Sequence, residues 1–135
     1  MLLLTRDGVL RLADLLRRCD SLSSARLAHG LLIADQGFRY QAQTFVSNFL
    51  VEMYGRLGSP QDARSVFDHM LSRNTYSWNI LLKVYDQNAM PREASHVFDI
   101  MPSRDVVSWT SIIMILCRHG YGAKATGLFF EMLLQ

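Results

Sequence analysis

The chain copies itself at a fixed interval. Residues 43–73, 74–104 and 105–135 align without a gap. The first two units share 12 of 31 positions: Thr44/Thr75, Asn48/Asn79, Leu50/Leu81, Tyr54/Tyr85, Pro60/Pro91, Ala63/Ala94, Val66/Val97, Phe67/Phe98, Asp68/Asp99, Met70/Met101, Ser72/Ser103 and Arg73/Arg104. Unrelated segments of that length share about two. The third unit diverges further, yet Ser108, Trp109, Ala125, Phe129 and Met132 stay in register. A fixed period of roughly 20–50 residues builds a stack of like units, because one unit cannot bury its apolar faces alone. Such stacks present long open surfaces, which directs function toward binding.

Inside the middle unit, Tyr76, Trp78, Leu81, Leu82 and Tyr85 fall at helical spacing. Asn88, Ala89 and Met90 interrupt the pattern. Pro91 then suits the first turn of a second helix, where its missing N–H costs nothing. A second apolar stripe follows at Ala94, Val97, Phe98 and Met101, and Pro102 stops it. Each unit is therefore expected to be a helical hairpin. In the unit before, a helix over 44–56 ends at Gly58. Ser59 is expected to cap the next helix, with Pro60 at its first position, and that helix runs to about residue 71. In the last unit a helix over 106–118 is capped by Asp105 or Ser108, a turn spans 120–122, and a second helix starts near 123.

Ala63, Ala94 and Ala125 recur where close helix approach leaves no room for a larger side chain. Phe67, Phe98, Phe129, Met70, Met101 and Met132 are expected in the core, as are Trp78 and Trp109. Upstream, residues 9–19 and 22–35 read as another hairpin outside the register of the later units, with Ser21 capping its second helix and Gly37 breaking the pattern. The expected organisation is an N-terminal extension over 1–7, a degenerate longer unit over 8–42, and three units over 43–73, 74–104 and 105–135. That is an all-α solenoid of about four hairpins and eight helices, wound as a right-handed superhelix.

At 135 residues, half of them hydrophobic and 19% charged, the chain is long and apolar enough to fold as one ordered body. A net charge of +2 is compatible with a polyanionic partner without demanding one. Cys19 and Cys117 stand apart with no CxxC, which fits reduced thiols and not a disulfide framework. No apolar run approaches the roughly 18–20 residues that span a bilayer, so no membrane partner is expected. The Arg-rich start MLLLTRDGVLRLADLLRR carries Asp7 and Asp14 and lacks a serine-rich stretch, so it reads as the first helix in preference to the remnant of a transit peptide.

Asn79, followed by Tyr85, Pro91, Ala94, Val97-Phe98-Asp99 and Met101-Pro102-Ser103-Arg104-Asp105, resembles the pentatricopeptide repeat family. The segments SWNILLKVY, ARSVFDHM and VVSWTSII are similar to its plant variety with repeats of mixed length. The 31-residue units resemble its short class, and the first hairpin, with Ala28-His29 before Gly37-Phe38, its long class. The resemblance covers about residues 8–135. The sibling tetratricopeptide signature is poorly met, because Leu82 occupies its glycine position.

The resemblance implies binding of single-stranded RNA at about one base per repeat. It also implies base reading by two side chains, one on the inner face of the first helix and one closing the repeat. Carried onto this chain, the pairs are Asn48 with Asn74 and Asn79 with Asp105. The third begins at Thr110, and its partner would follow Gln135. By the same resemblance Asn/Asp favours uracil, Asn/Asn a pyrimidine, and Thr a purine. Bases are sandwiched at the positions of Phe45, Tyr76 and Val107. The residue types suit this, since Asn offers both donor and acceptor to a base edge. Read as residues alone, Asn48 and Asn79 are equally compatible with a solvated helix face, and Phe45 and Tyr76 with packing between helices.

Plant relatives of mixed-repeat type guide organellar RNA editing, and some carry a cytidine deaminase domain that needs H-x-E and P-C-x-x-C around zinc. His29, His69, His96 and His119 lack that context, and Cys117-Arg118-His119 is too sparse for a metal site. No P-loop, GxSxG or HExxH occurs. The chain is therefore expected to be noncatalytic, without metal or cofactor. It would act as an RNA adaptor in a mitochondrion or chloroplast, in C-to-U editing or processing with factors supplied in trans. The other class of function is a protein–protein scaffold with degenerate RNA contacts. Phe129, Phe130, Leu133 and Leu134 near the end have no polar capping helix after them, which leads to two expectations: an array cut short, and self-association through an exposed terminal repeat.

Overall fold

The computed structural model describes residues 6–34, 39 and 43–135. Among them the chain is entirely helical: α1 (Arg6–Arg18), α2 (Leu22–Ala34), α3 (Thr44–Arg56), α4 (Pro60–Asp68), α5 (Thr75–Gln87), α6 (Pro91–Ile100), α7 (Val106–Arg118) and α8 (Gly122–Leu133). The helices α1, α3, α5 and α7 pack side by side in one layer, while α2 packs on α3 and not closely on α1. Behind them α4 and α6 each bridge their own partner helix and the first helix of the next unit. This is the helical stack that the period predicts. No helix among the described residues is long and apolar enough to cross a membrane.

The turn inside each hairpin is built the same way. Gly58, Ala89 and Gly120 occupy the same place in successive units and have φ of +82°, +54° and +86°. The next amide reaches back to close the helix: Ser59 to the Tyr54 carbonyl at 2.9 Å, Met90 to Tyr85 at 2.8 Å, and Tyr121 to Leu116 at 2.8 Å. A left-handed residue with this bond satisfies the last carbonyls of a helix. Two of the three units use glycine there, and the middle one forces alanine into the same conformation.

The core repeats with the fold. Ala63, Ala94 and Ala125 are buried at the crossing of each hairpin. Phe67 packs edge-on against Trp78 at 4.8 Å between ring centroids, and Phe98 against Trp109 at 4.9 Å. The guanidiniums of Arg73 and Arg104 lie over these phenylalanines at 4.6 and 4.3 Å. Phe129 departs from the expectation: it is 44% exposed, and Met132 is only half-buried. On α4 and α6 the tryptophan of the following unit covers the phenylalanine, and the described residues place no such helix over α8.

Three other expectations are corrected. α4 ends at Asp68 instead of near residue 71, because Arg73 donates Nε to the Phe67 carbonyl at 2.9 Å and Nη2 to that of Asp68 at 2.9 Å. That fork satisfies the carbonyls on which another turn would have built. Ser59 precedes α4 but makes no cap bond; its hydroxyl donates to the Asp62 carboxylate at 2.6 Å. α1 begins at Arg6, inside the expected extension, with Asp7 in its first turn where the helix dipole favours a carboxylate. α8 begins at Gly122, within a residue of the expected start. The cap at Ser21 is present, its Oγ accepting the Ser24 amide at 3.1 Å. Gly37 and the end of the first unit lie outside the described residues.

Candidate nucleic-acid interface

Clefts open between α3 and α5 and between α5 and α7. The cleft between α3 and α5 holds about 530 Å³ and is lined by Phe45, Asn48, Phe49, Asn74, Tyr76 and Arg17. The cleft between α5 and α7 holds about 440 Å³ and is lined by Tyr76, Asn79, Asp105, Val107, Lys83 and Met114. Tyr76 forms a wall of both. The residues assigned by resemblance thus collect in two adjacent clefts at the pitch of the repeat. Thr110 is exposed on α7, in neither.

The three stacking positions stand out from the helices. Phe45 is 48% exposed, Tyr76 62% and Val107 55%. This decides against interhelical packing for Tyr76. Phe45 keeps one edge against Phe49 at 4.9 Å, and the Arg17 guanidinium covers Phe49 from α1 at 4.7 Å. Trp78 and Trp109 are buried, as their place beside Phe67 and Phe98 requires.

The second polar pair is joined. Asn79 Nδ2 donates to Asp105 Oδ1 at 3.2 Å. Asp105 is the N-cap of α7, accepting the Ser108 amide at 2.8 Å, and Ser108 Oγ receives the Asp105 amide at 3.2 Å. This reciprocal box satisfies two donors at the helix start. The Ser108 amide holds the Asp105 carboxyl below its ordinary value, helped by the Ser108 hydroxyl and Asn79. Asp105 is therefore charged throughout the physiological range.

The first pair is built differently. Asn74 caps α5 in the same way, accepting the Ser77 amide at 2.9 Å. Asn48, however, is only 7% exposed, and its Oδ1 has no hydrogen-bond partner among the described residues. A buried amide oxygen without a partner costs about 1–3 kcal/mol. The helical register places Asn48 and Asn79 alike, but only Asn79 is held by its neighbours.

Three features in and around the clefts escaped the sequence. Lys83 pairs with Glu52 of the preceding unit at 3.2 Å, and Arg118 pairs with Asp86, which His119 Nε2 also approaches at 3.3 Å. Two cations of the second cleft are thus already matched by carboxylates, whereas Arg17 of the first lies over the Phe49 ring. Only the recurrence of opposite charges at about the interval of the repeat could have signalled this. Asn88 ties the units, donating to the Gly55 carbonyl at 3.0 Å. Ser77 and Ser108 were visible as a registered pair but were not assigned to the site.

The sequence profile of the PPR repeat matches residues 45–75, 76–106 and 107–134. A pentatricopeptide repeat-containing protein of Arabidopsis thaliana is 34% identical over 131 residues, which covers 95% of this chain and 12% of that protein. A second from Arabidopsis thaliana, described as mitochondrial, is 32% identical over 73 residues, 54% of this chain and 11% of its own length. A third, described as chloroplastic, is 38% identical over 58 residues, 43% of this chain and 7% of its own. The chain spans about a tenth of the length of these relatives. Three successive matched units in an eight-helix stack leave no second assignment: the chain belongs to the pentatricopeptide repeat family.

Proposed function

We propose that this chain is a sequence-selective reader of single-stranded RNA, a noncatalytic adaptor segment for organellar editing or processing. Proteins of the family are generally RNA-binding organellar adaptors, and the mitochondrial and chloroplastic relatives agree with that setting. One observation carries the reading. Tyr76, with its ring largely in solvent, is shared by two adjacent clefts, and each cleft is lined by two of the polar residues, Asn48 and Asn74 in one and Asn79 and Asp105 in the other. An aromatic face stacks on any base for about 1–3 kcal/mol. The polar pairs then read the base edges: Asn48 with Asn74 a pyrimidine, Asn79 with Asp105 uracil, and Thr110 a following purine. Factors acting in trans would meet the apolar side chains that α8 exposes, Phe129, Phe130 and Leu133 among them.

Because Lys83 and Arg118 are paired before any RNA arrives, they should add little to counterion release, and the fall of affinity with salt should come mainly from cations such as Arg17 of the first cleft. The experiment is a titration of oligonucleotides permuted at the middle base, repeated at several salt concentrations. Tyr76→Ala should weaken every oligonucleotide by about tenfold or more, the worth of a stacked base. Indifference of the wild-type chain to the middle base would overturn the reading.

A further inference from the structure

We infer that Ser108 is a positioning residue for base selection, fixing the sense in which Asn79 presents its amide to the second cleft. The inference rests on the RNA-reading assignment of that cleft and deepens it.

An asparagine amide is nearly symmetric in shape, so its two ends can exchange by rotation unless chemistry tells them apart. At Asn79 both ends are specified. Asp105 is a carboxylate that only accepts, so the NH2 end turns to it, at 3.2 and 3.5 Å from the two oxygens. The oxygen end takes the Ser108 hydroxyl, with Oγ to Oδ1 at 2.8 Å. That hydroxyl has one proton, shared between Asn79 Oδ1 and Asp105 Oδ1, which also lies at 2.8 Å, while it accepts the Asp105 amide at 3.2 Å. Ser108 is wholly buried, so water does not substitute for it. Its side chain is a hub joining the cap of α7, the carboxylate and the amide of α5.

With one N–H and one lone pair engaged, Asn79 has one N–H and one lone pair left for a ligand, in a fixed order. Uracil carries a donor at N3 beside an acceptor at O4, and cytosine carries an acceptor at N3 beside a donor at N4. The two patterns are reversed, so an amide of fixed sense fits one better than the other, and a freely rotating amide accepts both. The first cleft is the internal contrast. Ser77 is buried like Ser108 and makes the same box with Asn74, its Oγ donating to Asn74 Oδ1 at 2.9 Å. It does not reach Asn48, whose Oδ1 is orphaned. The second position should separate uracil from cytosine, and the first should not.

The test is fluorescence anisotropy of the whole chain with oligonucleotides differing only as uracil or cytosine at the first or middle base. Ser108→Ala should lower the uracil-to-cytosine affinity ratio at the middle base about fivefold, the net worth of one hydrogen bond. Ser108→Thr keeps the hydroxyl and should keep the ratio. Ser77→Ala removes an equivalent capping hydroxyl and should leave the middle-base ratio unchanged. A ratio that survives Ser108→Ala, or falls equally with Ser77→Ala, overturns this inference alone. A wild-type chain indifferent to the middle base overturns the reading of the cleft as well. Without RNA, heteronuclear NMR should show the Asn79 side-chain amide signals shifting in Ser108→Ala; signals that do not move overturn the lock itself.

Discussion

Replacing Ala89 by glycine should make the protein more stable, although glycine is ordinarily a poor choice near helices. Ala89 has φ of +54°, at the position where the neighbouring units place Gly58 and Gly120. An L-residue in this region crowds its Cβ against the following carbonyl, at about 1–2 kcal/mol. Glycine escapes that cost but gains about 0.4–1 kcal/mol of freedom in the unfolded chain. The difference favours Ala89→Gly by about 0.5–1 kcal/mol. Ala89 is exposed, so losing its methyl forfeits little burial. The reverse changes isolate the same quantity. A Cβ built on Gly58 or Gly120 meets nothing within 4 Å, so any cost of Gly120→Ala is backbone strain and not a clash. Urea unfolding followed by circular dichroism should show Ala89→Gly moving the midpoint up and Gly120→Ala moving it down by a similar amount, with an unchanged slope. The corresponding Tm shifts are about 2–5 °C. A destabilised Ala89→Gly, or a neutral Gly120→Ala, would refute the reasoning.

Other outcomes follow from named contacts. Gly55→Ala places a methyl 2.4 Å from Val84 Cγ2 and should cost about 1–3 kcal/mol in urea unfolding, with Val84→Ala restoring part of the loss in the double variant. Arg104→Gln removes the fork to the Phe98 and Asp99 carbonyls, at 3.1 and 3.2 Å, and the cover over Phe98, for about 1–2 kcal/mol; Arg104→Lys should recover little, since an ammonium cannot fork. Burial lowers the pKa of His29 from 6.5, with Asp62 opposing, so its neutral form is the one the fold prefers. Stability should therefore be full above about pH 6.5 and decline as pH falls below it, because the unfolded chain takes up the proton first. The decline levels off below the folded-state value. His29→Gln should flatten that part of a pH–stability profile, and an unchanged profile would remove His29 as its cause.

Much of the architecture was legible because each repeat states its own rules three times. The bounds of α3 and the start of α7 follow from apolar spacing and from the residues that can cap or break a helix, which act over one turn. Glycine at 58 and 120 announced the left-handed turns. The third turn was placed by the break at residues 88–90, but not its left-handed conformation at Ala89, which alanine does not choose and the stack around it imposes. The end of α4 was missed for a related reason: the group that stops it is the Arg73 guanidinium, folding back from beyond the helix.

The same division holds at the clefts. Sequence periodicity by itself determined that the chain is a helical stack, and that Asn48 and Asn79, like Phe45, Tyr76 and Val107, hold equivalent places on it. Equivalent register did not make equivalent sites. Only the tertiary structure decided that Asn79 is gripped by Asp105 and Ser108 while Asn48 lies buried with an unpartnered oxygen. It likewise decided that Lys83 and Arg118 are already paired, and that Phe129 is left in solvent. Local spacing sets which face a side chain joins. Hydrogen bonds and charge pairs form between units, across about a full repeat of sequence, and depend on angles and rotamers that no single unit contains.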